Sequence, residues 1–346
     1  MINTAPTALD AIAAGAFARA VVPALEPRIV GAVLIIVLTG VHALGLHLSA
    51  RVQNGLVVVK VLLLTCFVLV GTFSGSLTWP TWVPPSPAAA PVSEVLGSLF
   101  FIAFAFSGWN AATYAADEFE QPERNVPRAM LIGCLAVGAL YLVVNFIFVA
   151  NLTPAQGTVV FQYDDFASLK GQFDQVTLGQ AVLAALLGPI AAKVMSAVML
   201  LLFISAMSAM LMVGPRVYSA MAKDGFLPAA LASKEGKPPT GAVLLQGAIA
   251  LLLLFTHDVR SVLSNVGAIL VLFAALTVGG LFVAKARGKD PSGVSLVCAG
   301  VYVLSAGWMF FEGFKKSPTL LLWIGAVALL GLGAFAATRW SQRRTA

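Results

Sequence analysis

The sequence predicts an all-α fold, a polytopic transmembrane helical bundle, and three observations carry that prediction. Only 10% of its 346 residues are charged, whereas an ordinary soluble domain carries about 25%. The mean hydropathy is +0.93. The apolar residues are gathered in runs of about 20, the length that crosses a hydrocarbon core of roughly 30 Å. These runs are apolar all round and do not alternate every second residue, which excludes barrel strands. In lipid only helices and closed barrels satisfy their own backbone polar groups.

Runs bounded by charges or by Pro and Gly clusters place nine spans near 29–49, 54–74, 94–117, 128–150, 188–214, 240–256, 261–284, 294–312 and 318–338. Residues 29–338 are therefore read as a transmembrane domain of about nine helices, and 339–346 as a tail. The longer connections, 75–93 and 151–176, read as irregular interfacial segments. Trp79 and Trp82 suit headgroup depth, and no separate soluble domain is expected.

Basic residues orient the spans. One side receives thirteen: Arg51, Arg124, Arg128, Arg216, Lys223, Lys234, Lys237, Lys285, Arg287, Lys289, Arg339, Arg343 and Arg344. The other receives six, and Lys60 and Lys193 fall inside spans. The richer side is expected to be cytoplasmic, which puts the C-terminus inside a bacterial inner membrane. Asp10 ahead of the first apolar stretch and Arg19 within it are the reverse of a signal peptide, so no cleavable leader is expected. Nine spans put the N-terminus outside, whereas Arg19 and Arg28 argue for inside. Either residues 8–25 are a broken span or helices are missing upstream.

The net charge of +6 lies in short loops and forms no basic face, so no nucleic-acid partner is expected. Cys66, Cys134 and Cys298 sit within apolar runs, without metal-ligand spacing or a disulfide framework. His42, His47 and His257 are scattered and most acids are in loops, so neither catalysis nor a cofactor has a visible site. A channel filter or charged ring is missing as well.

Three constellations stand out. Lys60, nine residues after Arg51, is about 13 Å into its span. It is either a snorkelling lysine or an ionisable group facing an ion or proton path, whose burial costs at least about 2.5 kcal/mol. Gln53, one heptad earlier, shares its face. In residues 99–129, Ser107 and Gly108 fall at mid-span, and Ser107, Asn110, Tyr114 and Asp117 recur at helical spacing. A mid-membrane glycine permits local unwinding, whose carbonyls can hold an ion or amine, or it merely lets a neighbouring helix approach. In residues 203–228, Ser205 and Ser208 share a helix face and either offer oxygens to a cation or ammonium or bond back to their own helix.

The stretches FAFSGWNAATYAADEFEQPERNVPRAM and GPRVYSAMAKDGFLP, within residues 94–131 and 200–230, strongly resemble the amino acid–polyamine–organocation (APC) superfamily, in its sixth helix and the end of its eighth. LIIVLTGVHALGLHLSARVQNGLVVVKVLLL is similar to its fourth and fifth helices, so the resemblance covers essentially the whole chain. It implies an amino-acid permease with a LeuT-like fold, whose spans are helices four to twelve. Residues 1–28 would be the end of the third helix and an outer loop, with the first helices lacking. It also implies substrate binding by the carbonyls of Phe104, Ala105 and Phe106 and the break at Ser107–Gly108, with Phe106 and Trp109 shaping the pocket. Lys60 falls where many relatives carry a lysine in place of a sodium ion, near hydroxyls here supplied by Ser205 or Ser208. The family's Gly-rich first-helix motif, which holds the substrate carboxylate, has no counterpart in residues 1–28.

The expectation is secondary active transport of an amino acid or related amine by alternating access, coupled to protons or run as exchange, in the lipid bilayer and with no cofactor. The alternative is a truncated, non-transporting membrane protein that associates with a partner permease or has no function.

Overall fold

A computed structural model describes residues 4–75, 102, 105–116, 119–152, 177–234, 237–256, 259–316, 322, 324–326, 328–329, 331–333 and 335–336, with backbone only at 259–268 and 312–316. Among the described residues the regular structure is helical throughout: α1 Ala5–Val21, α2 Pro27–Leu44, α3 Leu46–Phe73, α4 Ala111–Tyr114, α5 Pro122–Asn151, α6 Leu178–Leu187, α7 Pro189–Lys223, a 3-10 turn Ala229–Leu231, α8 Thr240–Thr256, α9 Val259–Ala286 and α10 Gly293–Lys316. Six of these, α2, α3, α5, α7, α9 and α10, contain stretches long and apolar enough to cross a bilayer. The protein is an all-α, polytopic integral membrane protein.

Local sequence explains where the helices begin. Proline stands in the first turn of α1, α2, α5 and α7, where its missing N–H has no intrahelical partner to lose. At α2 the Glu26 carboxylate also accepts a hydrogen bond from the Ile29 amide at 2.8 Å. Thr177 and Gln180 make a reciprocal capping box at α6.

Several boundaries differ from those read off the charges. The first two long helices separate at Gly45, in extended backbone, and not near Arg51. Lys60 therefore lies at the middle of α3, about 20 Å from either end at 1.5 Å per residue. Helix α7 runs on through Pro215 to Lys223. Residues 5–21, ahead of the first expected span, form a well-buried helix.

The described residues up to Gly75 and from Trp109 to Arg260 form one compact unit; those at 102–108 and from Ser261 onward form a second. In the second unit Val271 of α9 packs with Ala306 and Met309 of α10.

The first unit is built around α1, α2, α7 and α8, which join Ala11, Ala14, Ile35, Leu38, Met207, Leu211, Ala250 and Leu254 in one core. Gly15 faces Pro27 and Gly31 faces Ala11, so α1 and α2 are an antiparallel hairpin. Thr4 bonds Tyr218 at 2.9 Å while Phe17 stacks on Phe203, so α7 also runs antiparallel to α1 and parallel to α2. Gly31 with Leu254, Thr39 with Gly247 and Ala43 with Thr240 set α8 antiparallel to α2. A second core joins Phe67 of α3 and Ile147 of α5 to Val182, Leu183 and Met195 of α6 and α7.

Lipid tails are as apolar as leucine, so helices in a bilayer associate through close packing more than through exclusion of water. The α1–α2 hairpin depends on this at two glycines. A Cβ at Gly15 would collide with the Pro27 carbonyl oxygen, and one at Gly31 would lie 2.8 Å from that of Ala11. Gly15→Leu is expected to push α1 off α2 at a cost of about 1–3 kcal/mol, the usual range for overpacking. Thermal unfolding of the detergent-purified protein measures this, and an unchanged midpoint would contradict the packing.

Candidate functional site

In the first unit, four apolar helices carry polar side chains that are buried or partly buried. Lys60 of α3 and Asp10 of α1 are both partly buried and lie within Coulombic range of each other. Burial disfavours the charged form of each, and opposite charges on the two would offset a part of that cost through mutual attraction in a weakly screening medium. Sequence reading placed Asp10 outside the apolar spans; the helix it belongs to, with ten buried residues, is what brings it inside.

His42, at the last turn of α2, is 2% exposed and contacts two serines. Its Nδ1 is 2.6 Å from Ser49 Oγ at the start of α3, and its Nε2 is 3.0 Å from Ser208 Oγ in α7. An imidazole with one proton donates from one nitrogen and accepts at the other, and a serine hydroxyl does either, so the three groups satisfy one another in either tautomer. Read from sequence, His42 was one of three scattered histidines. Its seven-residue spacing from Ser49, across the glycine that ends α2, is the signal that could have singled it out.

Of the two serines expected beside Lys60, Ser208 is therefore held by His42. Ser205, one turn earlier and fully buried, makes no hydrogen bond, to Lys60 or otherwise. Thr39, one turn before His42 on α2, is likewise buried with an unpartnered hydroxyl oxygen. Because α2 and α7 run the same way, these two hydroxyls lie on the same side of the His42–Ser208 bond along the helix axes. Each is a polar group whose burial costs about 1–3 kcal/mol until a partner arrives.

The expected substrate-binding stretch is seen in part. Phe104 and Asp117 lie outside the described residues. Ala105 is helical, residues 106–110 form turns, and α4 starts at Ala111. Gly108 has φ +90°, which glycine adopts readily and other residues rarely. The helical spacing of Ser107, Asn110 and Tyr114 accordingly does not define one continuous helix face, because the backbone leaves helical geometry between them. Ser107 is exposed, Phe106 and Gly108 are partly buried, and Trp109 is 38% exposed. Among the described residues no group of His, Cys, Asp or Glu is arranged to hold a metal ion.

The described residues thus make a polytopic helical membrane protein with ionisable groups and unpartnered hydroxyls between its helices, and a glycine turn within an apolar run. The chain matches the family described as "Amino acid permease" over residues 2–337 and belongs to that family. It is 28% identical over 320 residues to the mouse "Large neutral amino acids transporter small subunit 2", covering 89% of this chain and 57% of that protein. Similarity extends to the mouse "Asc-type amino acid transporter 1" at 24% identity, over 94% of this chain and 64% of the relative. The Arabidopsis thaliana "Cationic amino acid transporter 2, vacuolar" is 28% identical over 66% of this chain and 34% of its own length. The chain thus spans little more than half the length of the first of these relatives.

The two serines should respond oppositely to truncation. Ser208→Ala strands a buried imidazole nitrogen and is expected to cost about 1–3 kcal/mol, whereas Ser205→Ala removes a hydroxyl with no partner and is expected to be neutral or stabilising. Unfolding midpoints of the two variants, measured side by side, check this ordering.

Proposed function

We propose that the protein moves an amino acid or related amine across a membrane by alternating access, coupled to protons or by exchange. The observation that carries this reading is an ionisable Lys60 at the middle of an apolar helix, α3, within Coulombic range of Asp10 of α1, in a chain of the amino acid permease family. An ionisable pair held among apolar helices at a cost in stability has its natural use in a cycle that loads and unloads one of its members.

In this reading the substrate ammonium is taken by the carbonyls of Phe104, Ala105 and Phe106 at the Ser107–Gly108 turn, where Phe106 and Trp109 bound the pocket. Gly108 supports it through its positive φ. Lys60 acts as the coupling residue, with Ser205 and Ser208 on α7 contributing hydroxyls. Ser205 suits this role better than Ser208, because its oxygen is uncommitted. That the relatives' names speak of large neutral and cationic amino acids supports an amino-acid substrate. The excess of basic residues on one side supports a cytoplasmic C-terminus, and the membrane in this reading is a bacterial inner membrane.

The test is uptake of labelled amino acids by the whole protein in proteoliposomes. Lys60→Ala is expected to lower proton-driven uptake at least about tenfold, equivalent to 1.4 kcal/mol of lost coupling. Uptake that keeps its rate and its dependence on the pH gradient without Lys60 would sink the coupling role. Failure of every amino acid tested to be carried would sink the reading as a whole.

A further inference from the structure

Helix α3 touches the rest of its unit with few side chains. Of its 28 residues only Ser49, Phe67 and Gly71 are buried. Between Ser49 and Phe67 there is no buried residue, and Lys60 lies in that interval. The three fall on one line. Lys60 is eleven residues after Ser49, about three turns, and Phe67 is eighteen after it, five turns at 3.6 residues each. Gln53 lies close to the same stripe. The stripe is therefore fixed at its far end by an apolar anchor, Phe67 among Ile147, Val182 and Met195. At its near end it is fixed by a polar one, the bond from Ser49 to His42.

The two anchors differ in what they specify. An apolar contact tolerates small rotations and slides, whereas a hydrogen bond at 2.6 Å fixes both height and rotation. The near anchor lies just past the corner at Gly45, where extended backbone interrupts the helix and the α2 hydrogen-bond ladder does not continue into α3. His42 spans that corner, meeting Ser49 with one nitrogen and Ser208 of α7 with the other. That ties the start of α3 to the helix against which α1, the carrier of Asp10, is packed through Thr4–Tyr218 and Phe17–Phe203.

We propose that His42 is a positioning residue for Lys60: by pinning Ser49 to Ser208 it sets the height and rotation of α3, so that the lysine three turns on faces Asp10 of α1. The inference takes its functional meaning from the coupling role given to Lys60 above, but the geometry it asserts can be measured without transport.

The experiment uses the full 346-residue chain in membranes, with Cys66, Cys134 and Cys298 replaced by serine. A cysteine pair, Asp10→Cys with Lys60→Cys, is bridged by a short bismaleimide. A second pair, Phe17→Cys with Phe203→Cys, reports the α1–α7 contact and serves as the internal standard. His42→Leu removes both bonds and is expected to lower bridging of the first pair about fivefold relative to the second, the shift that losing the single bond to α3 produces. His42→Gln, which keeps an amide able to reach one serine only, should fall between leucine and histidine. Where His42→Leu does not accumulate in folded form, Ser49→Ala removes the α3 arm alone and carries the same expectation. Unchanged bridging of the first pair overturns the proposal, and so does an equal fall in both pairs, which would make His42 a general packing residue. Uptake is not the readout, so failure of the transport reading and failure of this one are separately visible.

Discussion

The organisation of the first unit follows from one constraint: inside a bilayer there is no water to satisfy a polar group, so each such group must find its partner within the protein, on its own helix or on another. Apolar side chains in lipid gain little by facing a neighbouring helix, whereas polar ones have nowhere else to go. The contacts that specify the unit are accordingly few and polar or close-packed. Thr4 with Tyr218, His42 with two serines and Gln246 with the Met210 carbonyl each fix one helix against another. The leucines and valines between them cover surface and carry less orientation. For the same reason Thr39 and Ser205 are conspicuous: they bear the cost of burial without the return.

The constraint also explains why α1 is the centre of the unit although, with 17 residues, it is no longer than α8 and shorter than α2 and α7. It is rich in small residues, Ala5, Ala8, Ala11, Ala14, Gly15 and Ala18 among them, and small side chains let α2 and α7 approach its backbone. A helix built this way gathers neighbours at short range and brings whatever charge it carries to the middle of the assembly. Asp10 comes within Coulombic range of Lys60 by that route.

Much of the fold could be read from the sequence because the bilayer sets a length and a composition that random chains do not meet. Helices α2, α5, α8, α9 and α10 fall near the runs chosen by apolar length alone. Charges proved poor markers of helix ends. Arg51 lies inside α3 because an arginine near a membrane surface can be carried on a continuing helix, while Gly45, with no charge beside it, ends α2. The site was less legible. Lys60 announces itself, being a lone cation in an apolar run. Asp10 and His42 do not, because their importance lies in which helices touch, and no spacing within one helix encodes that. Ser205 and Ser208 look equivalent at i and i+3. Only the position of α2 distinguishes them, committing one and leaving the other open.

Helix α7 has 35 residues and is about 52 Å long, well beyond a hydrocarbon core of roughly 30 Å. Tilt absorbs a part of that excess, and the remainder has to stand in the headgroups or the aqueous phase. Its last turns carry Arg216, Tyr218, Ser219 and Lys223. There Tyr218 meets Thr4, and the Ser219 hydroxyl accepts the Ser233 amide from the segment that follows. One helix, with Pro215 between the two parts, thus joins its buried serines to a basic end that gathers both the start of α1 and the loop before α8. Any soluble molecule that grips this end would have mechanical access to the buried serines without entering the membrane.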